Sequence, residues 1–261
     1  MTSLLIRNFI YECVRIMNLF FGAKKPRIAI FCYHSISGDG WRFSVRAQEF
    51  KKQINHLIKT YTPIKASELP EYISGKKEIE KNMFVLTFDD GYEDILSVKD
   101  FLREKGITPT IFLITDSRNA NRAELETERP LLTREQIREL IAAGWEIGSH
   151  SRTHADFSNL KSSGIQKEVG DSKDMLEREL GIKIKYFAYP KGFHSNEIVR
   201  AVEGAGYDLG FSMDDGYLDK GADKFLIPRV GVDGTHAFKQ FKLIYSPSAM
   251  FIRGLIKKII S

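Results

Sequence analysis

The chain has 261 residues, 43% of them hydrophobic and 28% charged, enough to bury one large core, and α/β barrels of this length are routinely single domains. Its net charge is +5, but Arg7, Arg15, Lys24, Lys25 and Arg27 against Glu12 give residues 1–27 a net +4, and Lys239, Lys242, Arg253, Lys257 and Lys258 give residues 239–261 a net +5, which leaves −4 for the middle. Positive charge confined to the ends argues against nucleic acid as the partner of the domain itself, and Cys13 and Cys32 form neither a CxxC pattern nor a disulfide framework.

Residues 1–26 are strongly apolar, but Arg7, Asn8, Glu12, Arg15 and Asn18 interrupt them at helical spacing. The interruptions break the run a spanning helix needs and the clean centre of a signal peptide. An amphipathic helix lying in a membrane interface fits the pattern; docking on the domain or on a second subunit is the alternative. After Pro26, residues 27–245 read as the domain proper. Arg27 to Tyr33 is a buried strand ending at His34, Phe50 to Ile58 marks a helix, Thr62 to Ile64 is a short strand, and Met83 to Phe88 is a third, ending in Asp89-Asp90-Gly91.

A helix through Ile95 and Leu102 stops at Gly106, and Thr110 to Ile114 is the fourth strand. A long polar loop, 117–129, leads to a capping box at Thr133-Arg134-Glu135-Gln136. Trp145 to Ser149 is the fifth strand, with His150 at its end. A helix from Ser162 or Ser163 to Gly181 precedes the sixth strand, Lys185 to Tyr189. Ser195 caps a further helix, Tyr207 to Phe211 is the seventh strand, and Phe225-Leu226-Ile227 is the candidate eighth. Residues 246–261 form a second basic amphipathic helix. Two such ends would add their affinities for an anionic leaflet, which predicts a peripheral membrane protein on the cytoplasmic face.

Strand and helix alternate with short connections, so the expected fold is α/β, a distorted (β/α)7–8 barrel of parallel strands. An open doubly wound sheet is the alternative, but no glycine-rich phosphate turn follows any strand. His34, Asp89, Asp90, His150 and the Tyr189-Pro190 turn all fall at C-terminal strand ends, the face on which such barrels build active sites. Asp89 and Asp90, two carboxylates beside apolar core, need a cation or a proton, unless Asp90 merely caps a helix and Asp89 is solvated. His150 and His154 are four apart, so one helical turn would bring both imidazoles to one side. Two His and one Asp suit Zn, Co, Mn or Fe, with positions left open for water and substrate.

Thr87-Phe88-Asp89-Asp90-Gly91, Ser149-His150 with His154, and more loosely Tyr186 to Gly192 resemble the motifs of the polysaccharide deacetylases, the NodB-homology family of carbohydrate esterases. The resemblance implies a NodB-like barrel and a metal-dependent hydrolase that removes an N-acyl group, acetyl or formyl, from an amino sugar of a bacterial surface polysaccharide or its lipid-linked precursor. It implies Asp89 as general base, Asp90, His150 and His154 as ligands of a divalent ion such as Zn2+, and the turn Tyr189, Pro190, Lys191 and Gly192 as the substrate and oxyanion contact. The family's base-orienting arginine is replaced by Ala188, and Arg229 is the candidate substitute. The general acid is assigned to His34 rather than His236, as in the subset acting on poly-N-acetylglucosamine, where motif order is permuted and an early Tyr-His supplies it. Competing readings are a glycan-binding scaffold without turnover, motivated by Ala188, and a hydrolase of some other amide or ester.

Overall fold

The computed structural model of the protein describes residues 11–18 and 25–260, with side chains through residue 253. Its sheet is parallel throughout and runs β7-β6-β5-β4-β3-β1-β8, with β2 paired to the start of β3. The strands are β1 (Ile28–Tyr33), β2 (Thr62–Pro63), β3 (Met83–Phe88), β4 (Thr110–Leu113), β5 (Glu146–Ser149), β6 (Tyr186–Ala188), β7 (Leu209–Phe211) and β8 (Val230–Gly231). Ile227 bridges to Phe211 of β7 while Val230 and Gly231 pair with β1. Residues 227–231 thus touch both edges, and the sheet curls into a distorted β/α barrel.

The eighth strand differs from the expected one. Phe225–Ile227 is a turn, with the Leu226 amide bonded to the Asp223 carbonyl and a single bridge at Ile227. Pro228 has no amide to continue a ladder, so the strand forms two residues later.

Both faces of the strands are buried, which explains their near-continuous apolar sequences. Alternate residues enter two separate cores. Ile28, Ile30, Met83, Val85, Phe112, Tyr186, Ala188, Leu209 and Phe211 pack together on one side. Ala29, Phe31, Tyr33, Phe84, Leu86, Phe88, Ile111 and Phe187 join the helices on the other. The helices include α1 (Ala47–Leu57), α2 (Arg134–Ala142), α3 (Asn196–Gly204), α4 (Phe238–Ile244) and α5 (Pro247–Ile260). The capping boxes and caps read from sequence are present: Thr133 Oγ1 accepts from the Gln136 amide, whose side chain accepts from Thr133, and Ser195 caps α3.

Residues 11–18 are helical. Val14 is 1% exposed and Tyr11 packs on the outer core, whereas Ile16 is 49% exposed, so one face of this helix docks on the domain and another faces outward. Residues 1–10 and 19–24 of the expected N-terminal segment lie outside the described residues. Among the described residues no helix is long and apolar enough to cross a membrane.

Gly210, in the middle of β7, sits against a close backbone approach. A Cβ there would lie 2.5 Å from the Phe225 carbonyl oxygen, which also accepts from the Tyr189 hydroxyl at 2.9 Å. Gly210→Ala is therefore expected to destabilise the fold by about 1–3 kcal/mol through overpacking, measured by urea unfolding; a neutral substitution would mean that the 223–227 turn yields freely.

Candidate active site

Strand β3 ends at Asp89 and Asp90, which are 2% and 4% exposed. Asp89 continues the inward alternation of Met83, Val85 and Thr87. Asp90 takes φ of 68°, a left-handed conformation that is costly for a residue other than glycine and turns the chain so that the adjacent carboxylate also reaches the barrel mouth. Gly91, at φ of 83°, follows with Leu113 Cδ2 2.8 Å from where a Cβ would stand.

Arg229 is fully buried and bonds both oxygens of Asp89, Nη1 to Oδ1 at 2.7 Å and Nη2 to Oδ2 at 2.8 Å. Its Nε donates to the Ser212 carbonyl at 3.0 Å and Nη1 also reaches Thr87 Oγ1 at 3.3 Å, while the guanidinium carbon lies 5.4 Å from the centre of the Phe112 ring. The guanidinium is therefore fixed by a carbonyl, a hydroxyl and a ring as well as by the carboxylate. Burial by itself would raise the Asp89 pKa, but Arg229, followed by His150, holds this carboxyl below the usual carboxylate range.

The second set consists of Asp90, His150 and His154. His150 Nδ1 lies 2.8 Å from the Ala188 carbonyl oxygen. A carbonyl can only accept, so Nδ1 carries the proton and Nε2 presents its lone pair to the mouth. His150 Nε2 is 3.4 Å and His154 Nε2 3.6 Å from Asp90 Oδ1, and Asp90 Oδ1 is buried without a hydrogen-bond partner. Burial foremost pushes the pKa of His150 down to about 3 and of His154 to about 4, and raises that of Asp90 to about 6. Two neutral imidazoles and a carboxylate oxygen, one ligand atom from each within 4.8 Å of the others, converge at the mouth. That donor set fits a divalent cation.

The imidazoles do not share a helical turn. Residues 151–156 are irregular, and Ser151 and His154 have φ of 65° and 60°. The loop is held by Arg152 and Thr153 amides that donate to the Glu168 carbonyl and carboxylate at 3.0 and 2.8 Å, and by the His154 amide, which donates to Ser151 Oγ at 3.0 Å. Spacing of four brings the rings together here through two left-handed residues, at a centroid distance of 5.1 Å.

A cavity of about 320 Å³ opens above these groups, lined among others by His34, Trp41, Phe43, Glu124, Lys191 and Gly192. His34 follows β1, and one of its ring nitrogens lies within 4.8 Å of an Asp89 oxygen; its ring packs 5.1 Å from Phe43. His236 does not join the mouth and pairs instead with Asp233 at 3.1 Å. Of the 189–192 turn, Lys191 and Gly192 line the cavity, while Tyr189 and Pro190 are buried behind it. Lys191 also meets Glu124 across the mouth. Trp41 is held from the other side by Arg129, whose guanidinium carbon lies 4.5 Å from the ring centre.

Cys32 was missed as a site residue. Its thiol donates to Asp89 Oδ2 at 3.3 Å, and it pairs in register with Thr87. The available signal was period two: Ile28, Ile30 and Cys32 share the inward face that ends beside Asp89.

A parallel barrel whose mouth combines an ion-paired carboxylate with an Asp-His-His set that could hold a cation has the layout of a hydrolase active site. The family model for polysaccharide deacetylase matches residues 76–210. The Bacillus subtilis (strain 168) protein YxkH is 28% identical over 214 residues, covering 80% of this chain and 72% of its own. The Staphylococcus epidermidis poly-beta-1,6-N-acetyl-D-glucosamine N-deacetylase is 28% identical over 200 residues, 72% of this chain and 68% of that one. In structure, IcaB from Ammonifex degensii superposes with a TM-score of 0.74 at 22% identity, covering 87% of this chain and 98% of that one. The chain belongs to the polysaccharide deacetylase family, hydrolases that act on amide bonds.

Removing Arg229 would leave the Asp89 charge buried and unpaired. Arg229→Met is expected to destabilise the protein by about 3–5 kcal/mol, and Asp89→Asn in the same chain should recover a substantial part of the loss. A double-mutant cycle by denaturant unfolding measures this; additive effects would show that the pair is not coupled.

Proposed function

We propose that the protein is a metal-dependent N-deacetylase that removes acetyl groups from a surface polymer of N-acetylated amino sugar, of the poly-β-1,6-N-acetylglucosamine kind. The observation that carries this reading is the division of labour at the mouth, where Arg229 saturates Asp89 and leaves Asp90, His150 and His154 as a separate ligand set. The polymer class is supported by the similarity to the staphylococcal deacetylase, which extends over 72% of the chain.

Asp90, His150 and His154 would hold the divalent ion, zinc or another ion of similar ligand preference. When bound there, such an ion supplies Lewis-acid polarisation of water and of the acyl carbonyl. Asp89, kept ionised and oriented by Arg229, accepts the proton of the attacking water. In the 189–192 turn the Tyr189 amide donates to Phe211, Pro190 has no N–H and the Gly192 amide donates to Tyr189. The Lys191 amide is the remaining donor for the oxyanion, and φ of 55° at Lys191 belongs to that bend. His34, beside Asp89 on the rim, donates the proton to the departing amine. Trp41 and Phe43 offer ring faces to the apolar face of a sugar. The scaffold reading was motivated by Ala188, and Arg229 removes that motive.

The test is acetate release from N-acetylated poly-β-1,6-glucosamine oligomers by protein loaded with divalent metal. Asp89→Asn is expected to lower kcat about 10²–10⁴-fold, and His34→Ala to lower it with less effect on KM. Equal release by Asp89→Asn and wild type would contradict the mechanism. Metal content is the companion measurement: His150→Ala and His154→Ala should each abolish retention of the metal after dialysis, whereas Asp89→Asn should retain it.

A further inference from the structure

The flank of the barrel carries a surface that the chemistry at the mouth does not use. Helices α1 and α4 enclose a cleft of about 600 Å³ lined by Lys51, Lys52, Lys59, Lys242, His56 and Phe238, with no carboxylate in its lining. Glu49, outside the lining, reaches Lys52 at 3.7 Å, and among the described residues Lys51, Lys59 and Lys242 form no ion pair. Lys52 and Lys242 stand over the Phe238 ring at 4.4 and 5.5 Å. The positive potential is uncompensated enough that, besides burial, Lys242 and Lys59 depress the pKa of His56.

The cleft leads into an apolar patch. Next to it Tyr61 meets Tyr245 edge-on at 5.7 Å, and α5 starts two residues later. Phe251 on α5 is 61% exposed and Ile16 on the N-terminal helix 49% exposed. Met17, Pro247, Ser248 and Phe251 together line a further cavity of about 350 Å³. Tyr61 immediately precedes β2, and Arg27, stacked on Tyr217 at 4.3 Å, immediately precedes β1. The Tyr61 end of this surface therefore lies at the strand starts, away from Asp89 and His150, and the cleft runs from there along the flank of the barrel between α1 and α4.

We propose that this face docks on an anionic lipid bilayer, with the lysines of the α1–α4 cleft at the headgroups and Phe251 and Ile16 in the acyl boundary, and that the active-site mouth, which shares no lining residue with the cleft, stays clear of the bilayer. Exposed aromatic and aliphatic side chains together with a cleft of lysines are what an interfacial lipid site requires; Arg15 and Arg253, which neighbour Ile16 and Phe251, pair with Glu12 and Asp215, so the attraction rests on the cleft lysines. A nucleic acid would use the lysines and leave Phe251 and Ile16 without a role.

The experiment is partitioning of the full chain onto phosphatidylcholine vesicles with and without phosphatidylserine, at low and high salt. Binding is expected to the serine-lipid vesicles alone and to fall with salt. Each of Lys51→Gln, Lys52→Gln, Lys59→Gln and Lys242→Gln should weaken it about fivefold, and Phe251→Ser about tenfold, with unchanged thermal melting as the folding control. In a Cys13→Ser background, a fluorophore on Asn55→Cys should be quenched by brominated lipid and one on Arg42→Cys, at the mouth, should not. Absence of binding, equal binding to neutral vesicles, indifference to the lysine and Phe251 substitutions, or quenching at the mouth label would each overturn the proposal.

Discussion

The interaction on which the site depends is the bidentate ion pair between Arg229 and Asp89 at the upper end of the barrel interior. Two opposite charges, 0% and 2% exposed, are tolerable there because the pair is densely hydrogen-bonded: Asp89 takes two bonds from the guanidinium and one from Cys32, and two further Arg229 bonds go to Ser212 and Thr87. The fold around it follows the same requirement. Residues 212–231, which carry Arg229 between β7 and β8, both close the barrel and deliver the one cation its interior holds beside the carboxylate. A carboxylate held by two guanidinium bonds is tied down on the side of Arg229, so Asp90 and the two imidazoles can form a ligand set of their own.

Much of this was legible in the sequence, and the parts that were not have physical causes. β3 was readable to the residue because both of its faces are buried and its end is marked by adjacent carboxylates. The carboxylates and His34 could be brought to one mouth because parallel strands share a direction. The HxxxH spacing was ambiguous, since four residues can be closed by a helical turn or by a loop with left-handed residues, and no local signal at Ser151 distinguishes the two. β8 was displaced because Phe225–Ile227 has strand composition, while the pairing that decides the matter lies with β1, nearly two hundred residues earlier. Arg229 could be nominated as a substitute for Ala188, but only the fold places its guanidinium on a carboxylate 140 residues away.

The terminal segments show the same limit of pattern reading. Their apolar periodicity marks a buried face without saying what buries it. In the structure Val14 and Tyr11 turn to the domain while Ile16 on the same helix, and Phe251 on α5, face outward, so one face of the N-terminal helix is docked and another is left open. The barrel thus carries its polar cluster where the strands finish and a separate basic cleft on its flank between α1 and α4.

The central claim is that Arg229 reserves Asp89 for proton transfer and leaves Asp90, His150 and His154 to bind the metal. Anomalous diffraction at the zinc edge from zinc-loaded crystals tests it most directly. The account predicts one strong peak within bonding distance of Asp90, His150 Nε2 and His154 Nε2, with both Asp89 oxygens still on Arg229. A peak coordinated by Asp89, or an Asp89 that has left Arg229 to ligate the ion, would contradict it.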